Sequence, residues 1–204
     1  MADLNAIQLQ NAEAIANYGY QHGFKESQIE FAVKAAFIES TLGLKTQNAN
    51  SSAAGLFGYL SGTWAENHAN LGNRMSNDSQ IHAFYDDIAK YTARFNDPSV
   101  NAPIKAAGLT LDQYIYIKHH DGQNYTDFKN APGLGIFKSF NFHPDLSEYT
   151  QPEGYGAPVG GHVFTLYDPV YASSHAYWFT NSSYQPEGQV TIGELGFING
   201  QDQD

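Results

Sequence analysis

The first half of the chain spaces its apolar and polar positions as amphipathic helices do. Apolar side chains recur every three to four residues over 4–18, and Gly19 is expected to end this first helix. A glutamate follows Ser27 at the spacing of a capping box, so Ser27 is expected to open a second helix. This helix is apolar around most of its circumference as far as Ile38, which predicts a buried position, and it is expected to end near Glu39.

Three further helices are expected between positions 61 and 122, because helical spacing resumes after each of three polar starts. The expected starts are Ser61, Asn77 and Thr110, and the expected ends are Gly72, Phe95 and Gly122. The small, polar segment 48–52 is expected to form a loop.

The last third of the chain has a different character. Glycine and proline become frequent from Ala131 onward and helical spacing disappears, while 163–167, 176–180 and 189–192 are candidate short strands. No Lys or Arg occurs over 139–204, against eight acidic residues. We therefore expect a mainly α domain over 1–138 and an acidic, irregular, partly β extension over 139–204. The extension is rich in aromatic residues, so it is expected to pack on the helical domain.

Composition excludes several classes of protein. Ten Lys and Arg against 21 Asp and Glu give a net charge of −11, which disfavours nucleic-acid binding. The chain has no cysteine, so disulfide scaffolds, thiol nucleophiles and cysteine-based metal centres are excluded. No apolar run has the length of a membrane span. The first 20 residues lack the basic and apolar regions of a signal peptide.

Glu39 is the strongest candidate for chemistry, because it stands where an apolar helix meets a loop. Desolvation raises the pKa of a carboxyl group, and a carboxylic acid that stays protonated near neutral pH can donate a proton to a leaving oxygen. The competing interpretation is an ordinary exposed glutamate. The helix dipole makes this interpretation less favourable, since negative charge is disfavoured at the C-terminal end of a helix.

The residues around Glu39 resemble the lytic transglycosylase family of the lysozyme-like superfamily, in its phage-like and soluble types. Glu39-Ser40 matches the first family motif, and Gly55-Leu56-Phe57 followed by Gly62-Thr63-Trp64 matches the second. Residues 116–122 resemble the Tyr-x-x-His-x-x-Gly variant of the third motif. The resemblance covers residues 4–128 and implies a lysozyme-like helical fold for the first domain.

The resemblance also implies an activity. It is cleavage of the β-1,4 bond between N-acetylmuramic acid and N-acetylglucosamine in peptidoglycan, without water and without a cofactor, giving a 1,6-anhydro product. Glu39 would be the general acid and base. The residues implied in substrate binding are Ser40, Gly55, Leu56, Phe57, Tyr59, Tyr116 and His119.

Two positions depart from the family pattern. Gly58 stands where the family usually has a glutamine that contacts substrate, so Tyr59 is the candidate to supply that hydrogen bond. His119 replaces the tyrosine of the third motif and is expected to line the groove. A metal site at His119, His120 and Asp121 is disfavoured, because adjacent histidines on a helix point about 100° apart.

Most glycosidases use two carboxylates, and the candidates for a second one are Glu66, Asp78, Asp86, Asp87 and Asp121. None of them lies in a motif as strong as that of Glu39, and Asp86 and Asp87 are expected on the solvent side of their helix. A mechanism with a single acid therefore fits better.

Two alternatives stay open. One is a hydrolysing muramidase (lysozyme) or chitinase, and the other is a lysozyme-like module that binds a glycan or a protein without cleaving. The expected partner is a peptidoglycan glycan strand. With no signal peptide, delivery to the cell wall would be by a phage, at lysis, or by a secretion system, and an injected effector would imply a cognate immunity protein.

Overall fold

The computed structural model describes residues 4–140 and the strand segments 143–145, 162–168 and 173–179. The described chain is mainly helical, as the spacing of apolar residues predicts. It divides into two compact units: the first unit is 1–46 with 141–204, and the second unit is 47–140. The candidate strand at 189–192 lies outside the described residues, and the predicted boundary near 138 stays a prediction.

The described residues of the first unit include two helices. Helix α1 spans Ala6–Gln21, and its Asn5 cap accepts a hydrogen bond from the Gln8 backbone. Helix α2 spans Glu26–Ser40 and packs against α1. Most of the apolar side chains of α2 are inaccessible to solvent, which confirms its predicted burial.

The boundaries of both N-terminal helices differ from the predicted ones. Gly19 is a buried residue inside α1 rather than its end, and the chain turns instead at Gly23, whose φ is +73°. Ser27 does not cap α2, because the helix begins one residue before it. The Gln28 side chain accepts from the backbone N–H of Lys25 at 3.0 Å, so the polar start lies two residues earlier than predicted.

The first unit also contains a small antiparallel sheet of order β1-β2-β3. Strand β1 is His143–Asp145, β2 is His162–Asp168 and β3 is Ser173–Phe179. Residue His143 pairs with Tyr167, and His162 pairs with Phe179.

The second unit is built from helices that enclose an aromatic core. Its helices are α3 (Ser61–Asn67), α4 (Asn77–Asn96), α5 (Ala102–Ala106), α6 (Leu111–His120) and α7 (Pro132–Ser139). Short 3₁₀ helices lie at Ala69–Leu71 and Phe128–Asn130. Helix α6 packs between α4 and α7, and Phe57 stacks on Phe84 with ring centroids 4.1 Å apart.

The predicted start of α6 is confirmed in atomic detail. The Thr110 hydroxyl accepts from the backbone of Gln113 at 3.3 Å, and the Gln113 side chain accepts from the backbone of Thr110 at 3.2 Å. Helix α7 contradicts the expectation that helices stop by Ala131. Pro132 occupies the first position of α7, where its fixed φ suits a helix and its missing N–H breaks no hydrogen bond, so this proline starts a helix.

Candidate functional site

Glu39 lies in the last turn of α2, where its side chain is half-buried. Its neighbour Ser40 is buried, and the Ser40 hydroxyl donates to the Ala36 carbonyl at 3.1 Å. The same hydroxyl oxygen accepts from the backbone N–H of Gly43 at 2.8 Å. Ser40 was predicted to contact substrate, but these contacts use its side chain to fasten the end of the helix to the following turn.

The turn after Glu39-Ser40 has an unusual backbone. Thr41, Leu42 and Gly43 have φ angles of 54°, 53° and 91°, so three consecutive residues occupy the left-handed region. Only the glycine adopts this conformation without cost, and a β-branched threonine is a rare occupant. Each of the other two residues costs about 1–3 kcal/mol, and such strain clusters at functional sites. The unusual turn therefore coincides with the candidate catalytic residue.

In the second unit, residues 54–59 form a loop that we call the Gly-Leu-Phe loop. One side chain from α4 holds it: the Gln80 amide oxygen accepts from the backbone N–H of Phe57 at 2.7 Å. The Gln80 amide nitrogen donates to the Ala54 carbonyl at 2.8 Å and to the Arg74 carbonyl at 2.6 Å. Gln80 is fully buried, so these hydrogen bonds satisfy its amide and fix the shape of the loop.

Two glycines are required by the path of this loop. A Cβ atom at Gly55 would lie 1.8 Å from the Gln80 amide nitrogen, and the Gly55 φ angle is +85°. Gly58 has a φ of +65°. A glutamine at position 58 would be strained in this conformation, so the path of the loop gives a physical reason for glycine there.

A buried polar network lies behind the loop. The Tyr59 hydroxyl donates to the Asp87 carboxylate at 2.8 Å, and the same carboxylate oxygen lies 3.4 Å from His68 Nε2. Asp87 is only 8% exposed, so the expectation that it faces solvent is wrong. It lies one helical turn from Phe84 and from Tyr91, which places it on the apolar face of α4.

Hydrogen bonding sets the protonation of this network. Burial would raise the pKa of Asp87, but the hydrogen bond and charge of His68 outweigh it, with help from His119 and Tyr59, and the pKa lies below its ordinary value. Burial, then the Asp87 carboxylate, raises the pKa of Tyr59 well above its ordinary value. Tyr59 is 3% exposed and bonded to Asp87, so its hydroxyl does not take over the sugar contact expected of it.

His119 fastens the loop from α6. Its Nε2 lies 2.7 Å from the Phe57 carbonyl oxygen, and because a carbonyl only accepts, this nitrogen carries the proton. The ring packs edge-on against Tyr59 and Phe84. The second unit thus brings together three of the predicted site residues, Phe57, Tyr59 and His119.

In the second unit, four of the predicted substrate-binding side chains are buried. They are those of Leu56, Phe57, Tyr59 and Tyr116. Tyr116 packs against His120 and Phe137 in the core of its unit. Buried rings present no face to a sugar, so these side chains support the loop rather than contact a glycan themselves.

The remaining candidate carboxylates have ordinary positions. Glu66, Asp78 and Asp86 are exposed. Asp121 accepts hydrogen bonds from the backbone N–H of Gly133 at 3.1 and 3.0 Å, beside the first turn of α7, and its carboxylate also lies 2.7 Å from His120 Nδ1. None of these four carboxylates stands out as a second catalytic group.

Gln80 and Glu13 are among the buried polar residues that sequence reasoning missed. Asn77 is predicted to start α4, whereas Ser76 caps this helix and the Gln80 side chain holds the loop. Glu13 of α1 is 2% exposed, and burial raises its pKa to about 7 against the opposing effect of a hydrogen bond with Asn17. Leu9 and Ala16 lie one turn away on either side, so helical spacing could have marked Glu13 as buried.

Among the described residues, no group of three or more histidine, aspartate or glutamate side chains is placed to hold a metal ion. Within the same residues, no helix combines the length and apolar character needed to cross a membrane. Comparison of the chain with protein-family models, with curated proteins and with solved structures gives no match.

Proposed function

We propose that the protein cleaves the β-1,4 bond between N-acetylmuramic acid and N-acetylglucosamine in peptidoglycan, with Glu39 as general acid and base. The observation that carries the proposal is the backbone beside Glu39. A half-buried carboxyl at the end of a buried helix is followed by Thr41 and Leu42 in the left-handed region. Strain of this kind persists only where the surrounding structure enforces it, and it is concentrated at functional sites.

The proposed reaction needs no water. Glu39 donates its proton to the glycosidic oxygen as the bond to C1 of the muramic acid breaks, and the substrate's N-acetyl group stabilises the positive charge that develops. The Glu39 carboxylate then removes the proton from the 6-hydroxyl, whose oxygen bonds to C1. The products are a free N-acetylglucosamine 4-hydroxyl and a 1,6-anhydro ring. One carboxyl group serves both steps, so no second carboxylate is required.

The fold proposed with this function is a lysozyme-like helical domain over 1–138, with a partly β extension over 139–204 packed on it. The Gly-Leu-Phe loop supports this assignment, because Gln80 and His119 hold its backbone in one conformation. The proposed role of the loop is to present backbone groups to the glycan, since its larger side chains are buried.

A pair of variants on one helix tests the proposal. Glu39→Gln keeps the side-chain shape but cannot exchange the proton, so release of dye from labelled, purified peptidoglycan should fall by at least about 10²–10⁴-fold. Glu30→Gln is the matched control, because Glu30 is also half-buried and lies on the opposite face of α2. It should keep the wild-type rate, and circular dichroism should show that both variants fold. Wild-type activity in Glu39→Gln would refute the assignment.

A second candidate function is glycan or protein binding without cleavage. Gly58 favours it, because the family glutamine that contacts substrate is missing there. The net charge of −11 also favours a partner other than anionic peptidoglycan, since like charges slow association. A wild-type protein that sediments with purified peptidoglycan, or with a protein partner, yet releases no fragments would support this alternative.

A further inference from the structure

Two buried amide side chains of α1 contact the strained turn after Glu39-Ser40. The Gln8 amide nitrogen donates to the Thr41 carbonyl at 3.1 Å, and the Asn11 amide nitrogen donates to the Leu42 carbonyl at 2.9 Å. Gln8 and Asn11 are three residues apart, so they project from the same face of α1. Their sequence separation from the turn exceeds 30 residues, so the contacts are tertiary rather than local.

These amides are buried, at 5% exposure for Gln8 and 6% for Asn11. Burying an amide is unfavourable unless it is hydrogen-bonded, so the contacts with the turn stabilise this placement of the amides. The carbonyls at the C-terminal end of a helix also need donors, because the helix itself offers them none. Donors and acceptors are therefore matched across the α1–α2 contact.

Backbone hydrogen bonds to α2 also hold the turn. Thr41 donates its N–H to the Phe37 carbonyl at 2.8 Å, and Leu42 donates to the Ala36 carbonyl at 3.1 Å. Lys45 donates to the Ser40 carbonyl at 2.8 Å. These bonds occupy the N–H groups of the turn, whereas Gln8 and Asn11 bind the carbonyls of the two strained residues. The side chain of Leu42 is fully buried, which adds a third attachment.

We infer that Gln8 and Asn11 are positioning residues: by binding the carbonyls of Thr41 and Leu42 they hold the left-handed turn that fixes the direction of the Glu39 side chain. This inference rests on the proposed function of Glu39. Without the two amides, Thr41 and Leu42 relax toward ordinary helical or extended backbone, because the other contact of the Thr41 carbonyl, from the Leu44 N–H at 3.5 Å, is at the distance limit of a hydrogen bond. Relaxation at Thr41 rotates the last turn of α2, and a displacement near 1 Å is enough to slow catalysis about 100-fold.

The test replaces each amide by an apolar side chain of similar size, in Gln8→Met and Asn11→Leu. With dye-labelled peptidoglycan as substrate, kcat should fall about 10- to 100-fold and KM should change less than about twofold, since orientation rather than affinity is lost. The matched control is Gln10→Leu, an exposed position on the same helix, which should keep the wild-type kcat. Assays are run well below the unfolding midpoint of each variant.

A rescue variant separates positioning from general destabilisation. Gln8 binds the Thr41 carbonyl, and glycine adopts the left-handed conformation without a side-chain penalty, so Thr41→Gly added to Gln8→Met should return kcat to within about threefold of the wild type. Loss of stability with no change in kcat, or a loss of kcat that Thr41→Gly does not restore, would overturn the positioning role.

Amide hydrogen exchange tests the turn independently of activity. In Asn11→Leu, the amides of Thr41, Leu42, Gly43 and Lys45 should exchange at least about tenfold faster, while amides in the middle of α2 keep wild-type rates. Unchanged exchange at the turn would overturn the inference whatever the activity. If exchange accelerates but the wild-type protein releases no peptidoglycan fragments, the α1 contacts hold the turn and the proposed function has failed instead.

Discussion

Each of the two units buries a carboxyl group, and the pKa values of these two groups are shifted in opposite directions. Glu13 in the first unit and Asp87 in the second are both almost inaccessible to water. Burial raises the pKa of Glu13 to about 7, whereas the pKa of Asp87 lies below its ordinary value. The difference lies in their neighbours, because Asp87 lies against His68 and the Tyr59 hydroxyl, and Glu13 has a neutral amide, Asn17, to oppose its burial.

The comparison shows that burial alone does not decide how a carboxyl behaves. A carboxylate with a cationic or hydroxyl donor stays ionised and strengthens the fold, whereas a carboxyl group whose burial outweighs its hydrogen bond to a neutral amide favours the protonated form. The two groups should therefore give the stability of the protein opposite slopes against pH, in different ranges.

The largest expected effect is on Glu13. Its pKa in the folded state is above the unfolded value, so its contribution is most favourable at low pH and is lost as the pH rises from about 4.5 to about 7. That loss is about 3 kcal/mol in the free energy of unfolding. Glu13→Gln should remove the loss, so its stability relative to the wild type should increase by about 3 kcal/mol between pH 4 and pH 8, measured by urea unfolding.

The control for Glu13 is Glu26→Gln, at an exposed position near the start of α2, which should leave the pH dependence of the wild type in place. If the stability difference between Glu13→Gln and the wild type were the same at pH 4 and pH 8, Glu13 would not be the group that titrates.

The next effect is on Asp87, and its sign is reversed. Because the pKa of Asp87 is lowered in the folded state, its carboxylate stabilises the protein above pH 4. This contribution is lost as the pH falls below the ordinary pKa of an aspartate. Asp87→Asn should destabilise the protein by about 2 kcal/mol at pH 7, since hydrogen bonds to a charged group are lost. The deficit should shrink on acidification below pH 4. A deficit that grew in acid would contradict the assignment.

The smallest effect is on Tyr59. Removing its hydroxyl in Tyr59→Phe breaks one of the contacts of Asp87 while His68 stays in place, so a loss of about 1 kcal/mol is expected in urea unfolding at pH 7. The control is Tyr125→Phe, whose hydroxyl contact with Asn130 is at the surface and which should change stability by less than about 0.5 kcal/mol. Equal losses of stability in the two variants would show that the buried hydrogen bond from Tyr59 to Asp87 contributes no more than the exposed one.

Much of the helical framework could be predicted from the sequence, because it depends on local signals. The Thr110 start of α6 and the end of α2 at Ser40 follow from capping and from the spacing of apolar residues. Boundaries were less accurate where the residue before the helix is not a typical cap, as at Lys25, whose backbone N–H donates to the Gln28 side chain. The short helix α5 was missed, since its five residues are too few for a helical period to show.

The candidate site was predictable only in part, because its contacts join residues far apart in sequence. The motif around Glu39 marks a candidate acid, but nothing local to that motif shows that Thr41 and Leu42 take left-handed backbone. The carbonyls of both residues are bound by Gln8 and Asn11 of another helix, a contact that the motif does not show. Likewise, the burial of Tyr59 and Asp87 depends on their mutual hydrogen bond, which neither segment shows alone.

The most direct test of the proposed activity is mass spectrometry of the soluble products released from purified peptidoglycan, with wild-type protein and Glu39→Gln compared in one experiment. The wild type should release muropeptides one water lighter than the products of a hydrolysing lysozyme, and Glu39→Gln should release almost none. Products with a free reducing end would move the protein to the hydrolases and reopen the search for a second carboxylate. Anhydro products from Glu39→Gln at the wild-type rate would contradict the central claim.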